Sequence, residues 1–269
     1  MRTLVHLSDL HFGRVDEAIL APLIEKTRAA APHVVVVSGD LTQRARSAEF
    51  VAARAFLDAL PTPRIVVPGN HDVPLYNVFD RFFRSLDKYR QHITADLEPF
   101  YVDEEIAVLG INTARALTFK DGRINERQIE KIRERMCELG AEMTKIVVTH
   151  HPFDLPENSP HGVVGGAGQA MATIARCGVD VILSGHLHLI HTGHSAERFD
   201  AGGHSSLIIQ AGTATSTRGR GEANSFNVIH IDGRRIRIER NVWQPEAAAF
   251  TTSRVEEFEE SPRGWVRAT

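Results

Sequence analysis

The sequence predicts an α/β fold with a parallel sheet, and two patterns support this prediction. Segments with the character of buried strands alternate with amphipathic helices in the first half of the chain. The run Val34–Val37 consists of consecutive valines, which is typical of a strand that other elements cover on both faces. With 269 residues, the chain is long enough to form one large domain with a substantial core.

The first elements follow one another in the order strand, helix, strand, helix, strand. Residues 3–8 have the pattern of a core strand, and residues 17–30 carry apolar side chains at helical spacing. A second helix is predicted over residues 47–60, and the prolines that follow it end the helix before the strand over residues 64–67. This order implies parallel strands joined by right-handed crossovers.

The rest of the chain adds further helices and strands. They are helices over residues 75–100, 125–139 and 170–177, and strands over residues 105–111, 145–149 and 179–183. Helical patterns then stop, and strands over residues 207–210, 226–231 and 235–242 are expected to form a second sheet. We therefore predict a single domain over residues 1–245, and we assign no structure to the polar tail over residues 246–269.

Composition and charge exclude several classes of protein. The chain is 42% hydrophobic, and its 31 Lys and Arg against 34 Asp and Glu give a net charge of −3. Such a composition is that of a globular protein, and the slight negative charge argues against binding nucleic acid through charge alone. No apolar run approaches the roughly 20 residues that span a bilayer, and the amino terminus lacks a secretory pattern. We expect a cytoplasmic protein in which Cys137 and Cys177 are unpaired thiols.

Side chains that can bind metal ions directly follow five of the predicted strands. They are Asp9, His11, Asp40, Asn70, His71, Asp72, His150, His151, His186 and His188. We expect them at the carboxyl ends of strands in one sheet, which is where an open α/β sheet places its site. The i, i+2 spacing within two of the pairs directs both side chains of an extended segment to the same face. Oxygen and imidazole ligands without thiolates suit Mn, Fe, Zn, Co or Ni.

The number of candidate ligands predicts two metal ions rather than one. The candidates are Asp9, His11, Asp40, Asn70, His150, His186 and His188. These seven candidates are more than one ion coordinates. They are enough for two ions if one carboxylate coordinates both, and Asp40 is the natural choice for that carboxylate. We interpret His151 as a structural residue that orients a neighbouring ligand.

The motif blocks, taken together, resemble those of the calcineurin-like metallophosphoesterase superfamily. The blocks are Asp9-x-His11, Gly39-Asp40, Gly69-Asn70-His71-Asp72, His150-His151 and Gly185-His186-x-His188. The resemblance implies a four-layered α/β/β/α sandwich of mixed sheets, with a dinuclear site at the carboxyl ends of strands. It implies one ion held by Asp9, His11, Asp40 and His188, and another held by Asp40, Asn70, His150 and His186. His71 then stays off the metals and faces the phosphate.

The finer pattern is most similar to bacterial class III cyclic-nucleotide phosphodiesterases. The shared segments are Ser8-Asp9-Leu10-His11, Gly39-Asp40-Leu41-Thr42, His150-His151-Pro152 and Gly185-His186-Leu187-His188. Purple acid phosphatases carry a tyrosine ligand where this chain has Gln43. The resemblance implies hydrolysis of a cyclic nucleotide or a similar small phosphodiester by an enzyme that is often a homodimer. It also implies two divalent ions, Mn and/or Fe first and Zn, Co or Ni as alternatives.

We hypothesise that a hydroxide held between the two ions attacks phosphorus, because bound water has a pKa near ~7 rather than ~15.7. His71 is the candidate acid that protonates the leaving alkoxide, and Asp72 is expected to orient its ring. Asn70 and His71 are expected to contact the substrate. Arg218 and Arg220 lie in a glycine-containing segment and are candidates to bind its phosphate or stack on a base.

Other functions stay open at this point. DNA exonucleases share the same blocks, and the run of arginines over residues 234–240 hints at nucleic acid, although alternating arginines that face solvent on a strand are commoner. Phosphomonoesterase or pyrophosphatase activity is also open, since fold and metals do not fix the substrate. A non-catalytic scaffold is a third alternative, which the filled ligand positions disfavour. We expect a small phosphodiester as the substrate, and neither nucleic acid nor a membrane as a partner.

Overall fold

The fold is built from two mixed β-sheets that face each other, with helices on both outer faces. The computed structural model describes the whole chain except residues 76, 119–120, 156–161, 196–203, 218–221, 263 and 269. The strands are β1 (Arg2–Leu7), β2 (Val34–Val37), β3 (Arg64–Val66), β4 (Phe100–Val102), β5 (Ile106–Gly110), β6 (Thr144–Val148), β7 (Val181–Ser184), β8 (His191–His194), β9 (Leu207–Gln210), β10 (Ser225–Asp232), β11 (Arg235–Gln244), β12 (Ala249–Ser261) and β13 (Gly264–Arg267). The helices are α1 (Glu17–Ala29), α2 (Ser47–Ala59), α3 (Val78–Phe83), α4 (Asp87–His92), α5 (Glu126–Met136) and α6 (Ala167–Arg176).

The first sheet has the strand order β13-β12-β11-β10-β1-β2-β3. The β1, β2 and β3 strands are parallel, as the strand–helix alternation predicts. The prediction that β10 and β11 belong to the second sheet is wrong. Because β2 occupies only one edge of β1, the other edge is available to β10, which pairs with it antiparallel. The tail over residues 246–269 continues this sheet as β12 and β13.

The second sheet has the strand order β4-β5-β6-β7-β9-β8. Its four central strands are parallel, and β4 and β8 pair antiparallel at the two edges. Both sheets are therefore mixed. The carboxyl ends of their parallel strands supply the residues of the candidate site.

Three apolar layers hold the sandwich together. Val34 and Val36 pack between the two sheets, whereas Val35 and Val37 face the layer that contains α1, α2 and α4. In the second sheet, Val147 faces the layer formed with α5 and α6. Successive residues of a strand point to opposite faces, so each central strand contributes to two layers. The α/β/β/α sandwich is confirmed.

The segment over residues 75–100, predicted to be helical, contains two short helices and the start of β4 instead. Phe79, Phe82 and Phe83 in α3 are 58%, 47% and 76% exposed, so they do not form the buried stripe that their spacing indicates. Apolar spacing alone does not reveal whether a neighbouring element covers that stripe.

The two cysteines are not free thiols, which corrects the expectation from the sequence. Cys137 and Cys177 form a disulfide with a Cα–Cα distance of 4.3 Å. Each cysteine immediately follows the last residue of one of the packed helices α5 and α6, so residues 40 positions apart in sequence meet. Unpaired cysteines therefore no longer support a reducing compartment. Within the described ranges, no helix combines the length and apolar character needed to cross a membrane.

Candidate metal centre

The candidate ligands meet where the carboxyl ends of β1, β2, β3, β6 and β7 converge. These strands belong to both sheets, so the prediction of a site at the edge of one sheet is wrong. The loops are joined across the gap between the sheets, since Ser38 O lies 2.8 Å from His150 Nδ1 and the backbone N–H of His186 donates to Asp9 Oδ2 at 3.0 Å. The carboxyl ends of the parallel strands of both sheets lie on the same side of the sandwich, and the site lies between them.

A first group of candidate ligands consists of Asp9, His11, Asp40 and His188. All are buried, and one ligand atom from each lies within 4.8 Å of the others. His188 Nε2 is 3.3 Å from both Asp9 Oδ1 and His11 Nε2. Asp9 Oδ1 is buried and accepts no hydrogen bond. Two carboxylates and two imidazoles directed at one point, with a buried oxygen that lacks a donor, fit a divalent cation.

A second group contains His150, His186 and Asn70. Asn70 Oδ1 lies 3.1 Å from His150 Nε2 and 3.0 Å from His186 Nδ1, and the two ring nitrogens are 3.3 Å apart. Asp40 joins this group to the first one. Its Oδ1 is 3.4 Å from His150 Nε2, while its Oδ2 is 3.7 Å from His11 Nε2. The two oxygens of one carboxylate therefore face two different sets of ligand atoms.

Neighbouring groups fix the orientation of these side chains. The Nδ1–H of His150 donates to Ser38 O, which directs Nε2 at Asp40 and Asn70. Ser8 Oγ donates to Asp9 Oδ2 at 2.6 Å. Such partners hold ligands in a binding geometry before any ion arrives.

The protonation of the site also favours a cation. Burial lowers the pKa of His11 to about 4, so this ring is a neutral ligand at ordinary pH. Burial opposes the ionised form of Asp40, but His150 and His71 outweigh it and hold the pKa of that carboxyl well below its usual value. Burial likewise opposes charge on His150, yet Asp40 raises the pKa of His150 to about 9. The carboxylates thus attract positive charge into a dry site, and a metal ion can supply it in place of a proton.

Most of the candidate ligands adopt an uncommon backbone conformation. Asp9, His11, Asp40, His186 and His188 have φ angles of 53°, 52°, 52°, 74° and 59°. Residues with side chains rarely occupy this left-handed region, and such residues cluster at functional sites. The turn after each of these strands therefore bends sharply enough to point its side chain into the centre.

Two glycines of the motifs are required by close approach. A Cβ at Gly69 would lie 2.1 Å from Asp40 Oδ1, and one at Gly185 would lie 1.8 Å from Ser8 Oγ. Real Cβ atoms do not come this near another atom, so a larger residue at either position would displace the carboxylate beside it.

His71 and Asp72, predicted to act as a pair, face different surroundings. The His71 ring lies beside that of His11, with centroids 4.9 Å apart, and its Nδ1 is 2.8 Å from Gln43 O. Asp72 is buried and accepts hydrogen bonds from the backbone N–H groups of residues 41, 42 and 69. Burial and Asp40 raise the pKa of Asp72 to about 6.

The expected role of Asp72 therefore needs correction, because Gln43 O takes the position beside the His71 ring. The two side chains belong to one turn of 3-10 helix, Asn70–Asp72. Such a turn has three residues, so neighbouring side chains diverge. Asp72 instead joins the loop after β2 to the loop after β3, because its carboxylate accepts from residues 41, 42 and 69.

His151 lies beside the second group. His151 forms a cluster with His150 and His186 in which the ligand atoms lie within 4.8 Å of one another. Its Nδ1 is 2.7 Å from Thr113 Oγ1, and burial keeps the pKa of His151 well below its usual value. Neither the Thr113 contact nor the Gln43 contact is predicted from the sequence, because Thr113 contacts His151 from a distant segment and Gln43 contacts His71 through its backbone carbonyl. Arg218 and Arg220 lie outside the described residues.

Comparisons with known proteins give one family and several relatives. A family model described as calcineurin-like phosphoesterase matches residues 2–189. The chain is 27% identical over 163 residues to the glycerophosphodiester phosphodiesterase GpdQ of Enterobacter lignolyticus. The aligned region covers 56% of this chain and 58% of that relative. It is 23% identical over 198 residues to a probable cyclic nucleotide phosphodiesterase of Synechococcus, with 69% of this chain and 73% of the relative covered. Of the first two curated relatives that it matches, the chain spans 61% and 58% of the length, which is under two thirds of each.

The fold also resembles that of a purple acid phosphatase from yellow lupin, with a TM-score of 0.72 at 11% identity. The match covers 95% of this chain and 53% of the lupin chain. At this identity the likeness concerns the arrangement of elements.

Proposed function

Because the chain belongs to the calcineurin-like phosphoesterase family, we propose that it is a metal-dependent phosphodiesterase that cleaves a cyclic nucleotide or a similarly small phosphodiester. The observation that carries the proposal is the position of Asp40, whose two oxygens face separate sets of ligand atoms. Two relatives whose names describe diesterases support the choice of a diester.

Two metal sites follow from this geometry. Asp9, His11, Asp40 and His188 would hold one ion, and Asp40, Asn70, His150 and His186 would hold the other. Divalent ions, when bound there, supply Lewis-acid activation of the phosphoryl group and of water. The side chains around them hold the site dry and fixed before the substrate binds, which makes electrostatic stabilisation effective.

His71 is proposed to donate a proton to the leaving oxygen. The hydrogen bond from Nδ1–H to Gln43 O fixes the ring, and Nε2 is the nitrogen that we propose delivers the proton. His71 is also held at its backbone, because its N–H donates to Asp40 Oδ1 at 2.8 Å. This bond ties the acid to the carboxylate that joins the two groups of ligands, so the proton donor and the candidate metal sites keep one relative position.

The surface arginines favour a small substrate over nucleic acid. Arg234, Arg235 and Arg237 form ion pairs with glutamates of β12 at 3.2, 3.0 and 3.5 Å. Arg240 is buried between the sheets and donates to Gln210 O of the second sheet at 3.2 Å. The run over residues 234–240 therefore forms no cationic face with which to bind a phosphate backbone.

The substrate class can be tested with a panel of esters. Protein loaded with Mn²⁺ is assayed on bis(p-nitrophenyl) phosphate, on 3′,5′- and 2′,3′-cyclic nucleotides, on p-nitrophenyl phosphate and on single-stranded DNA. We expect the small diesters to be hydrolysed with the highest kcat/KM. Faster hydrolysis of the monoester, or cleavage confined to DNA, would contradict the proposal.

The role of His71 has a separate test that depends on the leaving group. We expect His71→Ala to lower turnover of a cyclic nucleotide by roughly 10²–10⁴-fold, because the alkoxide must be protonated as it leaves. Turnover of bis(p-nitrophenyl) phosphate should fall much less, since p-nitrophenolate leaves without a proton. The matched control is His33→Ala, because His33 precedes β2 at the opposite end of the first sheet. Equal losses on both substrates at unchanged metal content would refute the assignment.

A further inference from the structure

A second cluster of metal-binding side chains lies away from the candidate centre. Asp180 immediately precedes β7, whereas His186 and His188 follow that strand. His204 comes shortly before β9, and Glu260 is near the end of β12. We propose that Asp180, His204 and Glu260, which meet beside the amino ends of β7 and β9, bind a zinc ion that attaches the C-terminal hairpin β12–β13 of the first sheet to the second sheet.

The spacing of the ligand atoms is that of a shared ion. One atom from each of the three residues lies within 4.8 Å of the other two. Asp180 Oδ1 is 3.1 Å from His204 Nε2, and two ligands on one tetrahedral zinc, at bond lengths of about 2.0–2.1 Å, are about 3.3 Å apart. His204 Nε2 is buried and lacks hydrogen-bond geometry to any partner, despite its proximity to the carboxylate. A cation between the two atoms satisfies both.

Hydrogen bonds from neighbouring groups hold the Asp180 carboxylate in a fixed orientation. The side chain is buried, its Oδ2 accepts from the backbone N–H of Lys145 at 2.8 Å, and its Oδ1 accepts from Trp265 Nε1 at 3.3 Å. These donors fix the carboxylate without neutralising it. A cavity of about 30 Å³, enough for a single water, is lined in part by Asp180, Arg234, Glu260 and Trp265 and adjoins the cluster. Imidazole with two carboxylates suits zinc, and water can complete the coordination.

One side chain competes with the ion for Glu260. Arg234 lies 3.2 Å from its Oε2, but Arg234 is 71% exposed. An exposed ion pair of this kind contributes little, so a divalent ion can outcompete it. Removal of Arg234 should accordingly tighten zinc binding.

The zinc content of the full chain tests the site directly. Wild-type protein and the variants His204→Gln and Glu260→Gln are loaded with zinc, dialysed and analysed by plasma mass spectrometry. Glu257→Gln is the matched control, because Glu257 lies on the same strand and pairs with Arg237. Since the centre around Asp40 is unchanged in all of them, differences in zinc content report on this cluster alone.

We expect each ligand variant to bind one zinc equivalent fewer than wild type, and Glu257→Gln to bind the same amount. Arg234→Gln should raise the zinc affinity of the cluster formed by Asp180, His204 and Glu260. Retained phosphoester hydrolysis shows that the variants are folded. Equal zinc content in wild type and both ligand variants would overturn the proposal, and so would a loss in Glu257→Gln as large as that in Glu260→Gln.

Discussion

The contact between Gly185 and Ser8 makes Gly185→Ala a sharp test of how the candidate centre is built. The added Cβ would lie 1.8 Å from Ser8 Oγ and 2.6 Å from Asp9 Oδ2. Ser8 Oγ donates to that same Asp9 oxygen at 2.6 Å, so the new methyl group separates a hydrogen-bonded pair. Overpacking costs about 1–3 kcal/mol, and a hydrogen bond to a charged group contributes about 1.5–3 kcal/mol.

We therefore expect Gly185→Ala to lower the free energy of unfolding by about 2.5–6 kcal/mol and to reduce metal content, because Asp9 must move. Urea denaturation measures the first quantity, and elemental analysis of the folded protein measures the second. The control is Gly168→Ala in α6, where a Cβ meets no atom within 4 Å and should stabilise the helix by about 0.5–1 kcal/mol. An unfolding midpoint and a metal content equal to those of wild type would refute the close approach.

Three further predictions follow from single features of the molecule. Reduction of Cys137–Cys177 should remove up to about 4 kcal/mol, because the bridge closes a loop of 40 residues in the unfolded chain; a urea midpoint unmoved by dithiothreitol would contradict this. Tyr89→Phe should cost about 1 kcal/mol through loss of the buried bond to Val66 O, measured by the same unfolding curve, with kcat unchanged. A chelator should lower the melting temperature of wild type, since an ion at 100 times its Kd contributes about 2.7 kcal/mol. Asp40→Asn should respond much less, and an equal response in the two proteins would exclude Asp40 as a ligand.

The repeating patterns of the sequence predict the fold well. The valine run of β2 and the apolar spacing of α1 and α2 are local, and burial on a sheet face follows directly from such periodicity. The local sequence of β10, by contrast, does not determine which sheet this strand joins. Its apolar residues would suit either sheet, and only the available edge of β1 decides between them.

In the candidate site, too, local motifs could be predicted from the sequence, whereas contacts between distant residues could not. Its ligands could be predicted because they follow strands at fixed spacing, and the structure brings them together. The partner of His71 could not, because it is a backbone carbonyl of Gln43 and any residue at that position offers one. The pairing of Cys137 with Cys177 depends on where α5 and α6 end relative to each other, which no spacing of two cysteines reveals.

The backbone at the candidate ligands explains why local preference fails at this site. Five of these residues have left-handed φ angles, each of which costs roughly 1–2 kcal/mol in a residue with a side chain. Backbone hydrogen bonds between the loops hold the conformation, among them Asp9 N–H to Gly39 O at 3.1 Å and His11 N–H to Asp40 O at 2.9 Å. These bonds tie the loop after β1 to the loop after β2, so neither can relax alone. The packed core of the sandwich offsets the strain, and the strain directs carboxylates and imidazoles from both sheets at the same two points. A chain selected for stability alone would have relaxed these turns, so their persistence here argues that the geometry is kept for what it binds.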